Sequence, residues 1–426
     1  MNESTLEMLR RGIEDYTQAH YKFGFDPEKP AVRLHECAYG AEEIHAALET
    51  LLSTYVTMGK KTIFFEEECN KYFGFDHGIM VNSGSSANLL AVAALVNPVT
   101  EPRLNPGDEV IVPALSWSTT VWPLIQCGLI PVIVDVDPRT FNIDPNQARK
   151  AIGPKTRGMM PVHVYGNPCD MDALMQIAGE HKLIVIEDSC ESLGARYREK
   201  SVGSFGAVGT FSFYYSHHIT TLEGGICHTN DFQLAETMRI LRAHGWVRET
   251  QERAKYEAQH PHIDPRFLFV NVGYNLRPTE VQSAFGPSQL RKLEKFIQIR
   301  AGNAAYWKEK FAPYTKYLRI QEETPQSRHS WFGFPMAVRE EAPFSPQELR
   351  AYLKEHQIEN RPLIAGNIAE QPAMKLYPHR VSGDLRESRR LMTHGFTFGN
   401  HQEVDGAARA YVFDVVTRFL KSKQLV

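Results

Sequence analysis

Between about residues 80 and 230, short apolar runs alternate with stretches of helical periodicity. The runs that read as strands are EVIVPAL (109–115), PVIVDVD (131–137), GMMPVHVYG (158–166), KLIVIED (182–188), AVGTFSFYY (207–215) and GGICHTN (224–230). Nearly continuous apolar strands of this length are typical of a parallel sheet that helices cover on both faces. The alternation therefore predicts an α/β fold with a mostly parallel central sheet.

The segments on either side of this region have different patterns. The first residues predict a polar helix from Glu3 to about Phe23, and a helical pattern runs from Ala41 to Phe73. After Arg291 a long helical stretch is followed by mixed strands and helices, which is typical of a smaller α+β domain. Since a chain of 426 residues exceeds the usual size of one core, we expect two domains, with an additional segment before them. These are an N-terminal helical extension (1–30), a large α/β domain (31–290) and a small C-terminal α+β domain (291–426).

Charge and hydropathy exclude two classes of partner. The net charge is −3 with both signs interspersed, so we expect no nucleic-acid partner. No apolar run approaches the roughly 18 residues of a membrane span, so we expect no membrane partner. The amino terminus carries acidic residues and lacks the apolar core of a signal peptide, and we therefore expect a cytoplasmic protein.

The cysteines are widely spaced. The closest pair is Cys169 and Cys190, and no CxxC or CxC unit occurs. A disulfide framework and an iron–sulfur centre are therefore both unexpected.

The first polar cluster with chemical potential is VNSGSSANLLAVAAL (81–95). Gly84 frees the backbone, and Ser85 and Ser86 add hydroxyl groups just before a helix that Ala87 and Asn88 begin. Amide groups at the amino terminus of a helix can bind a phosphate. An ordinary serine cap after a turn explains the same residues, and this segment alone leaves both interpretations open.

Two further clusters follow apolar strands, at the edge where ligands bind in open α/β sheets. Asp188 ends one strand and could hold a positive charge there, or it could cap the next helix. His217 and His218 end an aromatic strand and precede a Thr-Thr-Leu-Glu-Gly-Gly segment. Because adjacent side chains on a strand point to opposite faces, a metal site is not expected. For these histidines, both a catalytic role and a structural role stay open.

Cationic residues concentrate in RAHGWVR (242–248) and GYNLRPTE (273–280). Arginine is the usual partner of phosphate and carboxylate groups, but either segment could also be a solvated loop.

Taken together, these segments resemble the nucleotide-sugar aminotransferase family of the fold-type I pyridoxal-phosphate enzymes. The resemblance covers the chain from about residue 33 to the end. That family carries its cofactor lysine in a Ser-Lys-x-Ile-Thr-Thr-Gly-Glu-Gly-Gly stretch, and this chain has His217 at the lysine position, in SHHITTLEGG (216–225). In having a histidine at this position, the chain resembles a small branch of sugar 3-dehydratases within the family. The motifs PALSWSTT, RAHGW, GYNLRP, SWFGF and FGNHQ support the same branch.

The resemblance implies roles for individual residues. Gly84, Ser85, Ser86 and Ser212 would hold the cofactor phosphate, with Asn275 contributed by a second subunit of a homodimer. Trp117 would stack on the pyridine ring, Asp188 would pair with the ring nitrogen, and Glu191 would lie near the ring hydroxyl. His217 would be the catalytic residue, and the substrate or glutamate would contact His244, Arg248, Arg277 and Arg361.

The resemblance also implies a reaction. Imidazole forms no stable covalent link with the cofactor, so pyridoxal or pyridoxamine phosphate would be bound without one. His217, with a reference pKa near 6.5, would take the C4′ proton, and the C3 hydroxyl of a nucleotide-linked 4-keto-6-deoxy sugar would leave. Glutamate would donate the amine, and the products would be a 3-deoxy sugar, ammonia and 2-oxoglutarate. GDP-4-keto-6-deoxymannose is the favoured substrate, with a role in the biosynthesis of colitose and lipopolysaccharide O-antigen.

Three alternatives remain. The chain could be a nucleotide-sugar 4-aminotransferase, which needs a lysine at the cofactor, or a catalytically dead homologue that only binds ligand. A second group of dehydratases, which acts on CDP-linked sugars, shares the histidine but adds a [2Fe–2S] centre from clustered cysteines, which this chain lacks. The sequence leaves open the nucleotide, the sugar stereoisomer and the role of residues 1–30. His218 would be the base if the alignment slipped by one position.

Overall fold

The computed structural model describes residues 3–425, in which helices and strands alternate along most of the chain. The helices are α1 (Glu3–His20), α2 (Ala41–Leu52), α3 (Lys60–Phe73), α4 (Gly84–Leu95), α5 (Ser118–Gln126), α6 (Pro145–Lys150), α7 (Met171–His181), α8 (Phe232–Arg242), α9 (Arg253–Gln259), α10 (Glu280–Phe311), α11 (Pro346–Glu355), α12 (Arg386–His394) and α13 (Gly406–Ser422). The strands are β1 (His77–Val81), β2 (Glu109–Pro113), β3 (Ile130–Val134), β4 (Thr156–Met159), β5 (Ile184–Asp188), β6 (Arg196–Tyr197), β7 (Lys200–Ser201), β8 (Val208–Ser212), β9 (Gly225–Thr229), β10 (Leu318–Ile320), β11 (Ser327–Arg328), β12 (Phe334–Val338), β13 (Asn360–Pro362), β14 (Arg380–Val381) and β15 (Gly395–Phe398).

The central sheet has eight strands in the order β1-β9-β8-β5-β4-β2-β3-β14. Every neighbouring pair is parallel except the two that involve β9, which runs opposite to β1 and β8. The apolar runs found in the sequence supply most of these strands, and their side chains are buried on both faces. The predicted α/β fold with a mostly parallel central sheet is thereby confirmed.

The C-terminal region contains a second, four-stranded antiparallel sheet, β10-β12-β15-β13, next to which α10, α11 and α13 pack. The expected domain boundary at 290 falls inside α10, a continuous helix of 32 residues. In addition, β14 from the C-terminal region joins the edge of the central sheet beside β3. The division of the chain at 290 therefore stays a prediction.

The segment Ala41 to Phe73, which the sequence pattern predicted as helical, forms two helices, α2 and α3, separated by residues 53–59. The carboxylate of Glu280 caps α3: its Oε1 accepts from the N–H groups of Gly59 (2.7 Å) and Thr62 (3.0 Å), and its Oε2 accepts from Lys61 N–H (2.8 Å). A carboxylate at a helix amino terminus satisfies groups that have no partner inside the helix. The break thus depends on a residue more than two hundred positions along the chain.

The predicted N-terminal helix begins at Glu3 and ends at His20, three residues before the expected end. It packs against α2, where Arg10 Nη2 lies 3.5 Å from His45 Nδ1. Residues 1 and 2 of the expected extension (1–30) lie outside the described residues. Among the helices of the described part, none combines the length and the apolar character needed to cross a membrane.

Candidate active site

A cavity of about 690 Å³ opens at the carboxyl edge of the central sheet. Strands β1, β2, β5 and β8 all point toward this edge, so the residues that follow them converge. The sequence-predicted residues in its lining are Gly84, Ser85, Ser86, Trp117, Asp188, Glu191, Ser212, His217 and Arg361. Segments separated by up to 277 positions therefore form one wall.

The amino terminus of α4 forms one side of the cavity. The helix begins at Gly84, three residues earlier than the sequence suggested, so Ser85 and Ser86 lie in its first turn. Ser83 is the cap, and its side chain accepts from Ser86 N–H at 3.1 Å. A Cβ on Gly84 would lie 2.5 Å from Ser212 Cβ, so only glycine lets the helix approach the end of β8. The expected serine cap is therefore present, and the anion site at the same helix terminus stays a prediction.

The Glu-Asp pair at the end of β5 points to opposite faces of the sheet. Glu187 turns away from the cavity and accepts from the N–H groups of Gly203, Phe205 and Gly206, at 2.6–2.7 Å. Asp188 lines the cavity wall. The pair thus fixes a loop on one face and presents a carboxylate on the other.

Asp188 has three hydrogen-bond donors. Its Oδ2 accepts from Asn88 Nδ2 (2.9 Å) and Thr120 Oγ1 (2.7 Å), and its Oδ1 accepts from Cys190 N–H (3.2 Å). The element that follows β5 is the strand β6 and not a helix, so the alternative role of Asp188 as the cap of a following helix is wrong. The three bonds hold the carboxylate at the cavity in one orientation.

Trp117 presents a flat aromatic surface at the cavity. It is the residue before α5, and it is 55% exposed although the strand before it is buried. A large apolar ring left open beside a polar cavity is suited to stacking against a planar ligand.

The two adjacent histidines are separated by their surroundings. His217 lines the cavity, and its Nδ1 lies 2.8 Å from the carbonyl oxygen of Cys190. Because a carbonyl only accepts, Nδ1 carries the proton and Nε2 is the basic nitrogen. His218 is completely buried, with Nε2 3.0 Å from the Ser330 carbonyl oxygen. Of the two rings, only that of His217 reaches the cavity.

Burial shifts the pKa values of two groups of the cavity wall, His217 and Glu191, in opposite directions. Burial is the main cause that lowers the pKa of His217 to about 4; the guanidinium groups of Arg361 and Arg300 contribute to this lowering, and the bond to the Cys190 carbonyl opposes it. Burial raises the pKa of Glu191 to about 7, against the bond from Tyr165 N–H (2.9 Å), which lowers it. The imidazole is therefore neutral at pH 7 and can accept a proton.

The remaining predicted residues lie outside this cavity, in a separate cluster. Arg277 Nη2 is 3.2 Å from His244 Nε2, and Arg277 Nε donates to Asn275 Oδ1 at 3.1 Å. The Arg248 guanidinium stacks 4.9 Å from the centre of the Trp246 ring. Contact of these residues with a ligand stays a prediction, because their own chain's cavity does not include them.

Sequence reasoning missed several residues of the site. Asn88 and Thr120 hold Asp188, and Phe332 lines the cavity with its ring 4.9 Å from that of His217. Asn88 sits in an otherwise apolar stretch of α4, so a buried amide there was a signal that it had a specific partner. Phe332 gave no signal beyond its place in SWFGF.

The described residues contain no group of three or more His, Cys, Asp or Glu side chains that could hold a metal ion. The six cysteines are unpaired, and of these only Cys190 lines the cavity. The expected lack of an iron–sulfur centre is not tested by this arrangement and stays a prediction.

Comparison with known proteins relates this site to a family. The sequence profile of the DegT/DnrJ/EryC1/StrS aminotransferase family matches residues 38–417. The chain is 41% identical to GDP-4-keto-6-deoxy-D-mannose 3-dehydratase of Yersinia pseudotuberculosis, over 87% of this chain and 94% of the relative.

Two crystal structures of such dehydratases are also similar. One is the E. coli GDP-4-keto-6-deoxy-D-mannose-3-dehydratase with bound hydrated PLP, at 37% identity and a TM-score of 0.85, covering 90% of this chain and 99% of the other. The second is a GDP-4-keto-6-deoxymannose-3-dehydratase with a trapped PLP-glutamate geminal diamine, at 37% identity and a TM-score of 0.86, covering 90% of this chain and all of the other.

The tautomer and pKa of His217 lead to a prediction about its reactivity. Diethyl pyrocarbonate acylates an unprotonated ring nitrogen. Because the pKa of His217 is lowered to about 4, its modification should continue into acid solution, to pH values where a histidine of ordinary pKa, about 6.5, is already protonated. Peptide mass spectrometry of the cofactor-free protein gives the rate at each residue as a function of pH.

The exposed His262 is the internal reference for this experiment, and His217→Asn is the control that removes the signal. A rate at His217 that halves near pH 6.5, or modification mainly at His218, would contradict the arrangement described.

Proposed function

The chain belongs to the DegT/DnrJ/EryC1/StrS aminotransferase family, and on that premise we propose that it is a pyridoxal-phosphate-dependent 3-dehydratase of a nucleotide-linked 4-keto-6-deoxy sugar. The observation that carries the proposal is His217, an imidazole at the cavity wall where the family pattern has a lysine. Among the lining residues that the structure describes there is no lysine. The similar dehydratases, one with PLP and one with a PLP-glutamate adduct, support the same chemistry.

The residues of the cavity fit this cofactor. The first-turn N–H groups of α4 cannot bond within the helix and suit a phosphate, as do the hydroxyl groups of Ser85, Ser86 and Ser212. Trp117 offers a flat ring and Asp188 an oriented carboxylate for a protonated ring nitrogen. Glu191 would lie near the ring hydroxyl. When bound, the cofactor supplies an electron sink conjugated to the reacting carbons.

His217 is the proposed base. Its Nδ1 proton is held by the Cys190 carbonyl, which leaves Nε2 directed to accept a proton from the substrate side of the cavity. Loss of that proton sends electrons toward the sugar, where the C3 hydroxyl is the leaving group. A lysine amine would instead bind the cofactor covalently and return the proton, as in aminotransferases. We therefore propose that the cofactor, in its pyridoxal or pyridoxamine form, is held without a covalent link.

Glutamate balances the reaction. It gives up its amino group and two electrons and becomes 2-oxoglutarate, while the sugar takes up the two electrons, its C3 oxygen leaves as water, and ammonia is released. Arg361 on β13 is the one arginine among the described lining residues, and it suits a carboxylate of glutamate. GDP-4-keto-6-deoxymannose is the proposed sugar, by similarity to the relatives that act on it.

The proposal includes a homodimer. Large apolar side chains are exposed together at the end of α2 and the start of α3: Leu51, Leu52, Tyr55, Val56, Ile63 and Phe64. Apolar surface of this kind marks an interface. This face adjoins the segment 273–280, which carries Asn275 and Arg277, because Val56 O accepts from Glu280 N–H at 3.0 Å and Thr57 pairs with Thr279. A second copy that covers this face would bring Asn275, and with it His244, Arg248 and Arg277, toward its partner's cavity.

The cellular context stays a prediction. A product of this kind suits the synthesis of deoxysugars such as colitose for lipopolysaccharide O-antigen. The six unpaired cysteines fit a reducing compartment such as the cytoplasm.

The unlinked cofactor gives the first test. After the protein is loaded with pyridoxal phosphate and reduced with borohydride, no peptide should carry the cofactor, because the cavity offers no amine for reduction to fix. Peptide mass spectrometry measures the adduct, and His217→Lys is the positive control. A stoichiometric adduct on any lysine of the unaltered protein would refute the unlinked mode.

The reaction outcome gives the second test. The protein is incubated with glutamate and GDP-, CDP- or dTDP-linked 4-keto-6-deoxy sugars. The expected products are a sugar with one oxygen fewer, together with equal amounts of 2-oxoglutarate and ammonia. Mass spectrometry and enzymatic ammonia assay measure them, and His217→Asn should lower turnover by about a hundredfold or more.

An aminotransferase would retain nitrogen in the sugar and release no ammonia. A 4-amino sugar as the main product would therefore favour that alternative, and no product from any sugar would favour a ligand-binding homologue. Activity with a sugar linked to another nucleotide would change the proposed substrate and leave the proposed reaction as it is.

Complementation tests the contribution from the second subunit. His217→Asn and Asn275→Ala should each be nearly inactive alone. If Asn275 acts on the partner's cavity, mixed dimers carry one intact site, and a co-expressed mixture should recover about a quarter of the unaltered activity. No recovery would mean that Asn275 serves its own chain. Adding Phe64→Glu to both variants, which puts a charge in the apolar face, should abolish the recovery.

A further inference from the structure

Arg300, in the middle of α10, is buried to 2% exposure beside the cavity, and sequence analysis gave it no role. Burial lowers its pKa to about 9, so the guanidinium stays charged at neutral pH. Unlike the equally buried Arg242, which pairs with Glu66 at 2.6 Å, it has no carboxylate partner within the described part of the chain. Burying a charge without a counter-ion is costly, which indicates a specific use.

The hydrogen bonds of Arg300 join two segments that the sequence singled out. Its Nη1 donates to the carbonyl oxygen of Phe332 at 2.9 Å, in SWFGF, and also to that of Asn400, in FGNHQ. Asn400 Nδ2 returns bonds to the Arg300 carbonyl (3.1 Å) and to the Trp331 carbonyl (3.4 Å). The cation therefore fastens two loops of the C-terminal region to α10.

Phe332 connects this fastening to the cavity. Its ring lies 4.9 Å from the imidazole of His217, covering a face of the proposed base. Its N–H donates to the Tyr165 carbonyl at 2.8 Å, and the N–H of Tyr165 donates to Glu191 Oε2 at 2.9 Å. A shift of the Phe332 backbone would thus reach both His217 and Glu191.

We propose that Arg300 is a positioning residue, which holds Phe332 against His217 and so fixes the base in the cavity. Cys190 sets the direction of the ring through Nδ1, and Phe332 limits its movement on the other side. The role rests on the proposed function where turnover is concerned. The chemical modification of His217 needs neither cofactor nor sugar, so the positioning role and the proposed function can fail separately.

The test compares Arg300→Lys and Arg300→Met with the unaltered protein. Both should retain the fold by circular dichroism, and both should lower kcat about tenfold or more while KM changes less than about twofold, since misplacement of a reacting group acts on the chemical step. The rate at which diethyl pyrocarbonate modifies His217 should rise severalfold, because Phe332 no longer covers the ring. Arg300→Lys keeps the charge and should recover part of kcat relative to Arg300→Met.

Arg380→Met is the matched control. That arginine lies on β14, the edge strand of the central sheet, and binds Glu109 and the Ala151 carbonyl away from the cavity. It should lower stability without changing kcat or the modification of His217. An unchanged modification rate at His217 in a folded Arg300 variant would overturn the positioning role, whatever happens to turnover.

Phe332→Leu keeps the test decisive if Arg300→Met fails to fold. It removes the ring but keeps the carbonyl that Arg300 binds, so the double variant with Arg300→Lys should be no slower than the slower single variant. Effects on kcat that multiply would show that Arg300 acts independently of Phe332, and would overturn the proposal.

Discussion

The common direction of β1, β2, β5 and β8 is the constraint on which the site depends. Because their carboxyl ends meet at one edge, a helix terminus, an aromatic ring, a carboxylate and an imidazole converge from distant parts of the chain. The convergence also requires that α4 approach β8 closely. A side chain at Gly84 would collide with Ser212, so the first-turn amide groups could not face the cavity at that distance.

Much of this arrangement follows from local pattern. Strands β2, β3, β5 and β8 are short apolar runs, and a run of this kind specifies a doubly covered strand almost by itself. Polar residues that end such strands, such as Asp188, are therefore expected at one edge of the sheet from the pattern alone. The resemblance to a family then distinguished His217 from His218, which the pattern left open.

The features that sequence analysis missed all depend on contacts between distant segments. The carboxylate of Glu280 caps the start of α3, after the break that separates α3 from α2. The short strand β14 forms only by pairing with β3. Arg300 is one cation in a helix with several, and only its burial against Phe332 and Asn400 distinguishes it. Local periodicity carries no information about such partners, whereas it carries most of the information about strands.

A histidine in place of a lysine requires more of the residues around it, because they alone must position its side chain. A lysine bound to its cofactor is positioned by that bond, but an imidazole must be positioned entirely by its neighbours. The Cys190 carbonyl fixes its tautomer, and the ring of Phe332 limits its movement. Burial and two guanidinium groups keep it neutral. On the same wall, burial shifts the pKa of Glu191 in the opposite direction and raises it to about 7. One acceptor and one potential donor of protons therefore coexist near neutral pH, as the proposed elimination of hydroxide requires.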